Sequence, residues 1–153
     1  MEKIECMNII PVLENKKQYM DLLLIGDEQE SMINQYLEKG EMYILHDEEI
    51  KAVCVVTDEG KGICELKNLA VYPKFQRKGY GKHLLRFLFE HYKNKFSVMQ
   101  VGTGDSPLTI RFYESCGFCR SHCIPKFFIT NYDHPIYEEG KQLVDMIYLR
   151  RNL

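Results

Sequence analysis

The run ELKNLAVYPKFQRKGYGK, residues 65–82, carries three kinds of local order in succession. Its first part, up to Val71, is apolar enough to close a strand predicted over 62–71. Pro73 breaks that strand. Gln76-Arg77-Lys78-Gly79-Tyr80-Gly81-Lys82 then crowds cations around two glycines. Leu84, Leu85, Leu88 and Tyr92 follow at helical spacing and predict a helix over 81–94. A glycine turn between a strand and a helix is where backbone N–H groups can meet an anion. Gly79 and Gly81 allow close approach and positive φ. The helix start has no Ser, Thr, Asp or Asn cap, so its first N–H groups lack partners. Its dipole and Arg77, Lys78 and Lys82 point the same way. The run is neither a Walker loop, which needs Gly-Lys-Ser/Thr, nor the GxGxxG dinucleotide turn. A solvated basic turn is the competing reading of these residues.

Outward from this run the pattern is continuous, with no repeat or linker, and predicts one domain over 1–153. Upstream, a strand is expected at 3–11, helices at 16–25 and 28–39, and strands at 41–46 and 50–58. Asp47-Glu48-Glu49 and Glu59-Gly60-Lys61 read as hairpin turns, which makes this part an antiparallel meander. Downstream, a strand is expected at 96–101. Ser106 is the expected cap of a helix with Pro107 in its first turn, stopping at Gly117. Strands at 119–130 and 143–150 close the chain. The strand–helix–strand order over 62–101 demands one parallel pair in an otherwise mostly antiparallel sheet. The fold class is therefore α/β or α+β, with one mixed sheet flanked by helices.

With 153 residues, 45% of them hydrophobic, the chain can build one core without metals or disulfides. A formal net charge of −2 disfavours nucleic acid as a partner. MEKIECMNII lacks the order of a signal peptide and no apolar run is long enough to span a membrane. A cytoplasmic location with six reduced cysteines is the expectation. Cys54 and Cys64 read as core residues. Cys116, Cys119, His122 and Cys123 contain a CxxC pair, yet they crowd one helix end and one strand, and no metal is expected there.

Two stretches resemble motifs of the GCN5-related N-acetyltransferase (GNAT) family. The first is Leu69-Ala70-Val71, Pro73 and Gln76-Arg77-Lys78-Gly79-Tyr80-Gly81, which matches the family's strand-end and Gln/Arg-x-x-Gly-x-Gly/Ala pattern. The second is FYESCGF, with Tyr113 followed by Gly117 and Phe118. The element order agrees along nearly the whole chain. The resemblance implies acetyl-CoA as co-substrate, without a metal, and an amine of a small molecule or peptide as acceptor. It places the pyrophosphate on the N–H groups from Arg77 to Lys82. It places the pantetheine arm along the backbone of Leu69 and Val71, in a gap beside the next parallel strand. Ser106, in the turn GTGDSP, would then face the cofactor. Many relatives carry asparagine near that point, where this chain has Asp105 and Ser106. Monomer and homodimer are both compatible with the family.

The same resemblance implies direct attack of the amine on the thioester, with the N–H of Val71 near the developing oxyanion. Tyr113 would protonate the departing thiolate. Read by periodicity alone, Tyr113 is a core residue, on a stripe with Phe112 and Cys116. Glu65 is the expected base, on the face of Lys67 and Leu69 provided that no bulge intervenes; its alternative is a strand charge paired with Lys67. His122 and His134 are further titratable candidates. Asp133, Glu138 and Glu139 would attract a cationic acceptor, or simply charge a surface loop. The rival to an enzyme is an acyl-CoA-binding regulator without chemistry.

Overall fold

The computed structural model describes residues 7–153. A seven-stranded sheet has the order β1-β2-β3-β4-β5-β9-β6, with a separate β7-β8 hairpin. β1 (Asn8–Val12), β2 (Glu41–Asp47), β3 (Glu49–Gly60) and β4 (Ile63–Val71) form the antiparallel meander. β4 and β5 (Val98–Gly104) are the parallel pair. β9 (Met146–Asn152) and β6 (Cys119–Ile124) complete the sheet in antiparallel fashion. Of the expected first strand, residues 3–6 lie outside the described residues, as does Cys6.

Helices cover both faces because the strands of the meander bury both. α3 (Tyr80–Tyr92) lays Leu84, Leu85, Leu88 and Tyr92 on Tyr43, Leu45, Cys54 and Val56. α4 (Pro107–Ser115) adds Ile110 and Tyr113 to that core. On the other face, α1 (Met20–Gly26) and the following segment bury Leu22, Leu23, Ile33 and Leu37 against Met42, Ile44, Val53 and Val55. Each fully buried aliphatic side chain stabilises the fold by about 1.5–3 kcal/mol.

The expected helix over 28–39 is α-helical only as α2 (Glu30–Ile33); turns lead on to Gly40. Lys16 explains how this short element ends. It is 7% exposed, and its ammonium donates to the carbonyls of Leu37, Glu38 and Gly40 at 3.0, 3.2 and 2.6 Å. Lys16→Met should therefore lower stability by about 2–3 kcal/mol, read as a drop in the denaturation midpoint at unchanged slope.

The strand expected over 119–130 is also cut short. Pro125 has no N–H for a ladder, and Lys126 turns to a φ of 58°. α5 (Phe127–Asn131) follows, and Phe128 packs with Ile136 and Leu143 in a small third cluster. β7 (Tyr137–Glu138) and β8 (Lys141–Gln142) form a hairpin that the sequence reading did not contain. Among the described residues no helix is long and apolar enough to cross a membrane.

Candidate active site

β4 is where the sheet opens. Opposite β3, Val55 faces Asn68 but Val56 faces Leu66, so Lys67 is an inserted bulge residue. Beside β5, pairing runs only from Ile63↔Val98 to Leu66↔Val101. Both strands continue, to Val71 and Gly104, without pairing further. The Tyr72 N–H reaches back to the Lys51 carbonyl of β3. Alternation along the strand then turns the N–H groups of Leu69 and Val71 away from β3, into the opening. An extended amide chain could pair with them there.

Two cavities meet at this opening. One of about 640 Å³ is bordered by Gln76, Arg77, Gly79, Gly81 and Lys82 on the loop side and by Thr109, Phe112 and Tyr113 of α4. Gly79, with a φ of 92°, is the residue before α3, and no side chain caps the helix. The loop is pinned by Gln76, whose Nε2 donates to the Val71 carbonyl at 2.9 Å. The result is a set of free N–H groups at a cationic helix start, suited to a diphosphate. The second cavity, of about 330 Å³, continues between α1, β4, β5 and the β7-β8 hairpin. Leu69, Val71, Gln76, Thr109 and Tyr113 border both.

Leu69, Val71, Gln76, Arg77, Gly79, Tyr80, Gly81 and Lys82 border the first cavity, whereas Ala70 borders only the second. Tyr80 contributes backbone, since its hydroxyl is turned away to donate to Asp47 at 2.9 Å. Lys78 and Ser106 border neither cavity. Ser106 does not cap α4 with its side chain. Its buried hydroxyl donates to Glu139 at 3.0 Å, which corrects the expectation that it faces the cofactor. Asp105 is drawn outward by Lys141, 3.5 Å away.

Tyr113 is 7% exposed and forms part of the wall common to the two cavities. Edge contacts with Phe112 and Phe118 hold its ring at 5.1 and 5.5 Å. Burial, then the charges of Cys116 and Glu138, push its phenol above the ordinary tyrosine range. It therefore keeps its proton at neutral pH.

Glu65 departs from expectation. The bulge at Lys67 puts it on the face of Thr57, Asn68 and Ala70, opposite to Leu69. Its buried carboxylate accepts from Gln100 at 2.7 Å and Tyr148 at 3.0 Å, and pairs with Lys67 at 3.1 Å. It borders neither cavity, while Lys67 borders the second. The carboxylates that do border it are Asp27, Glu28 and Glu138. Burial raises Glu138 above its ordinary range, and the charges of Glu139 and Glu28 add to this. Asp27 is raised by burial, partly offset by hydrogen bonds from Tyr132 and Tyr36. Neither Asp27 nor Asn68 was singled out by sequence; both depend on a long-range approach of α1 to β4. His134 lies at the rim between Asp133 and Glu28, and exposed His122 stacks on Tyr148 at 4.7 Å. Among the described residues, no three His, Cys, Asp or Glu side chains converge as a metal site.

Comparison with known proteins gives consistent matches. The family model described as "Acetyltransferase (GNAT) domain" matches residues 38–120. The Bacillus subtilis protein named "Uncharacterized N-acetyltransferase YvbK" is 33% identical over 143 residues, covering 92% of each chain. A GNAT family acetyltransferase from Elizabethkingia anophelis, solved with acetyl-CoA bound, superposes with a TM-score of 0.92 at 34% identity. That match covers 97% of this chain and 99% of the other. A Bacillus subtilis acetyltransferase in complex with CoA gives 0.88 at 32% identity, over 96% and 99% of the two chains.

Proposed function

This chain belongs to the GNAT acetyltransferase family and is an acyl-CoA-dependent N-acetyltransferase; from that premise we propose that its acceptor is a small primary amine, entering as a cation. The observation that carries this reading is the acidic lining of the second cavity. Asp27, Glu28 and Glu138 border it, and its one bordering cation among the described residues, Lys67, is paired with Glu65. A cavity of about 330 Å³ is at the small end for ligand pockets, which favours a metabolite-sized amine over a folded protein.

In the first cavity the free N–H groups from Arg77 to Lys82 fit the diphosphate of the co-substrate. Leu69 and Val71 offer main-chain partners to its amide arm. Acetyl-CoA supplies the acyl thioester. Glu138 is our candidate to take the proton from the incoming ammonium, leaving a neutral amine free to form the C–N bond. Tyr113 gives its phenolic proton to the sulfur as the C–S bond breaks, and the Val71 N–H faces the developing oxyanion. The nitrogen gives up its second proton as the amide forms, through water to Tyr113, and the products are amide, free thiol and the one proton taken by Glu138. Glu65 serves in this scheme as a positioning residue that holds Lys67 and Tyr148.

Thiol release with acetyl-CoA and a panel of small primary amines tests the reading; activity confined to peptides or to uncharged acceptors refutes it. Glu138→Gln should lower kcat/KM by about 10²-fold. In the wild type, kcat/KM should rise with pH through the Glu138 pKa, because the base must be ionised. Burial places that acid limb above the ordinary glutamate range. An unchanged limb in Glu138→Gln would exclude it as the base.

A further inference from the structure

The loop that leads from Pro73 into the free N–H groups of α3 lies on the surface. Arg77 and Gly79 both take a positive φ there, 63° and 92°. A left-handed φ at a residue other than glycine, as at Arg77, persists only where the surroundings impose it. Yet from Pro73 to Gly79 every residue is exposed except the half-buried Phe75. Tyr80, the first residue of α3, is the next one buried, at 6% exposed. Gln76 ties only the near end of the loop, through the Val71 carbonyl. Phe75 and Tyr80 are therefore its two footings. Their rings meet edge to face, 6.4 Å between centroids, and both residues border the first cavity.

Both footings stand on the β2–β3 hairpin. Asp47 closes β2, and the chain turns at Glu48 with a φ of 68°. Asp47 is 4% exposed, and its Oδ2 accepts from the Tyr80 hydroxyl at 2.9 Å. Lys51 of β3 is 8% exposed. Its ammonium sits 3.6 Å from the centroid of the Phe75 ring and 5.8 Å from that of Tyr80. The exposed carboxylate of Glu49 lies 3.7 Å from the same nitrogen. The Lys51 carbonyl also accepts from the Tyr72 N–H at 3.1 Å, so the entry to the loop is tied to this residue too. Neither Asp47 nor Lys51 borders either cavity. Apolar side chains could fill this space at a smaller desolvation cost. A buried carboxylate and ammonium add direction instead. They fix the two rings, and with them the N–H groups of residues 77–82.

We propose that Asp47 and Lys51 are positioning residues for co-substrate binding. They act through Tyr80 and Phe75, and hold the loop so that its N–H groups are already aimed when the diphosphate arrives. The proposal rests on the placement of the diphosphate at this loop, and is independent of the acceptor.

The test is calorimetry of the full chain with CoA, which requires no acceptor, alongside the denaturation midpoint of each variant. Tyr80→Phe removes one oxygen and keeps the ring; it should weaken CoA binding by about tenfold, and Asp47→Ala equally. The double variant should lose no more than either single one, because both delete the same bond. Asp47→Asn keeps an oxygen to accept from the phenol and should stay within about threefold of the wild type. Lys51→Met keeps the stem without the charge and should cost about fivefold. A lowered midpoint in Tyr80→Phe with CoA affinity within about twofold of the wild type would overturn the role of Asp47. The same result in Lys51→Met would overturn that of Lys51. Asp47→Asn losing as much as Asp47→Ala would overturn the bond to Tyr80 as the cause. Gly79→Val tells the proposal apart from the reading beneath it. CoA binding weakened there but not in Tyr80→Phe or Lys51→Met removes the brace and keeps the loop; binding unaffected in all of them removes the loop as well.

Discussion

Tyr113→Phe should lower kcat by about 10²-fold or more while leaving the affinity for CoA within about twofold. The substitution removes one oxygen and keeps the ring. The contacts with Phe112 and Phe118 and the packing of α4 on the core therefore survive. What is lost is a donor in the wall where the two cavities meet. Without it the thiolate must leave unprotonated or take a proton from water. The sign with pH is also set. The donor works only while protonated, and its pKa lies above the ordinary tyrosine range. Wild-type kcat should therefore show no fall with rising pH up to about 10, the ordinary tyrosine value. A variant that retains full kcat across that range would remove Tyr113 from the chemistry and return it to the core.

Gly79→Val should weaken CoA binding by about 10²-fold, measured by calorimetry. A Cβ at Gly79 would meet no atom within 4 Å, so the cost is not a clash. It is conformational: the residue sits at a φ of 92°, which a β-branched side chain rejects at a cost of about 1–3 kcal/mol. Relief requires the loop to turn, and turning it withdraws the N–H groups of the α3 start from their common target. Gly81 is the internal contrast. It has no positive φ, and a Cβ there would meet Phe112 Cζ at 3.4 Å, with Phe112 Cε1 and Val71 Cγ2 at 3.8 and 3.9 Å, which are ordinary contacts. Gly81→Ala should cost no more than about threefold. Equal losses at the two positions would mean that bulk, rather than the positive φ of the loop, governs binding.

The loop and the helix behind it were legible because their signals are local. Cations, glycines and a missing cap lie within a few residues of one another, and the helical spacing of Leu84, Leu85 and Leu88 follows directly. Tyr113 was singled out only through the family resemblance, since its helical spacing by itself reads as core. Residues 119–130 were misread because their aromatic and β-branched residues favour a strand anywhere. Pro125 and the packing of Phe128 on Ile136 and Leu143 decide otherwise. Ser106 does take the cap position of α4, as a hydroxyl before a helix suggests, but its side chain donates to Glu139 on the hairpin turn instead of to the helix.

Sequence alone determined the strand, the glycine turn and the uncapped helix start, since each rests on contacts within one or two turns of chain. Tertiary structure alone decided which carboxylates border the second cavity. A bulge is a property of two strands in register, so the one at Lys67 could not be read from β4 by itself, and it sends Glu65 away from the opening. The gap between β4 and β5 is likewise a failure of pairing between distant segments. Asp27, Asn68 and Glu138 meet around one cavity only because α1, β4 and the final hairpin converge there, and that convergence depends on a glycine at 26 whose reason lies in residue 68.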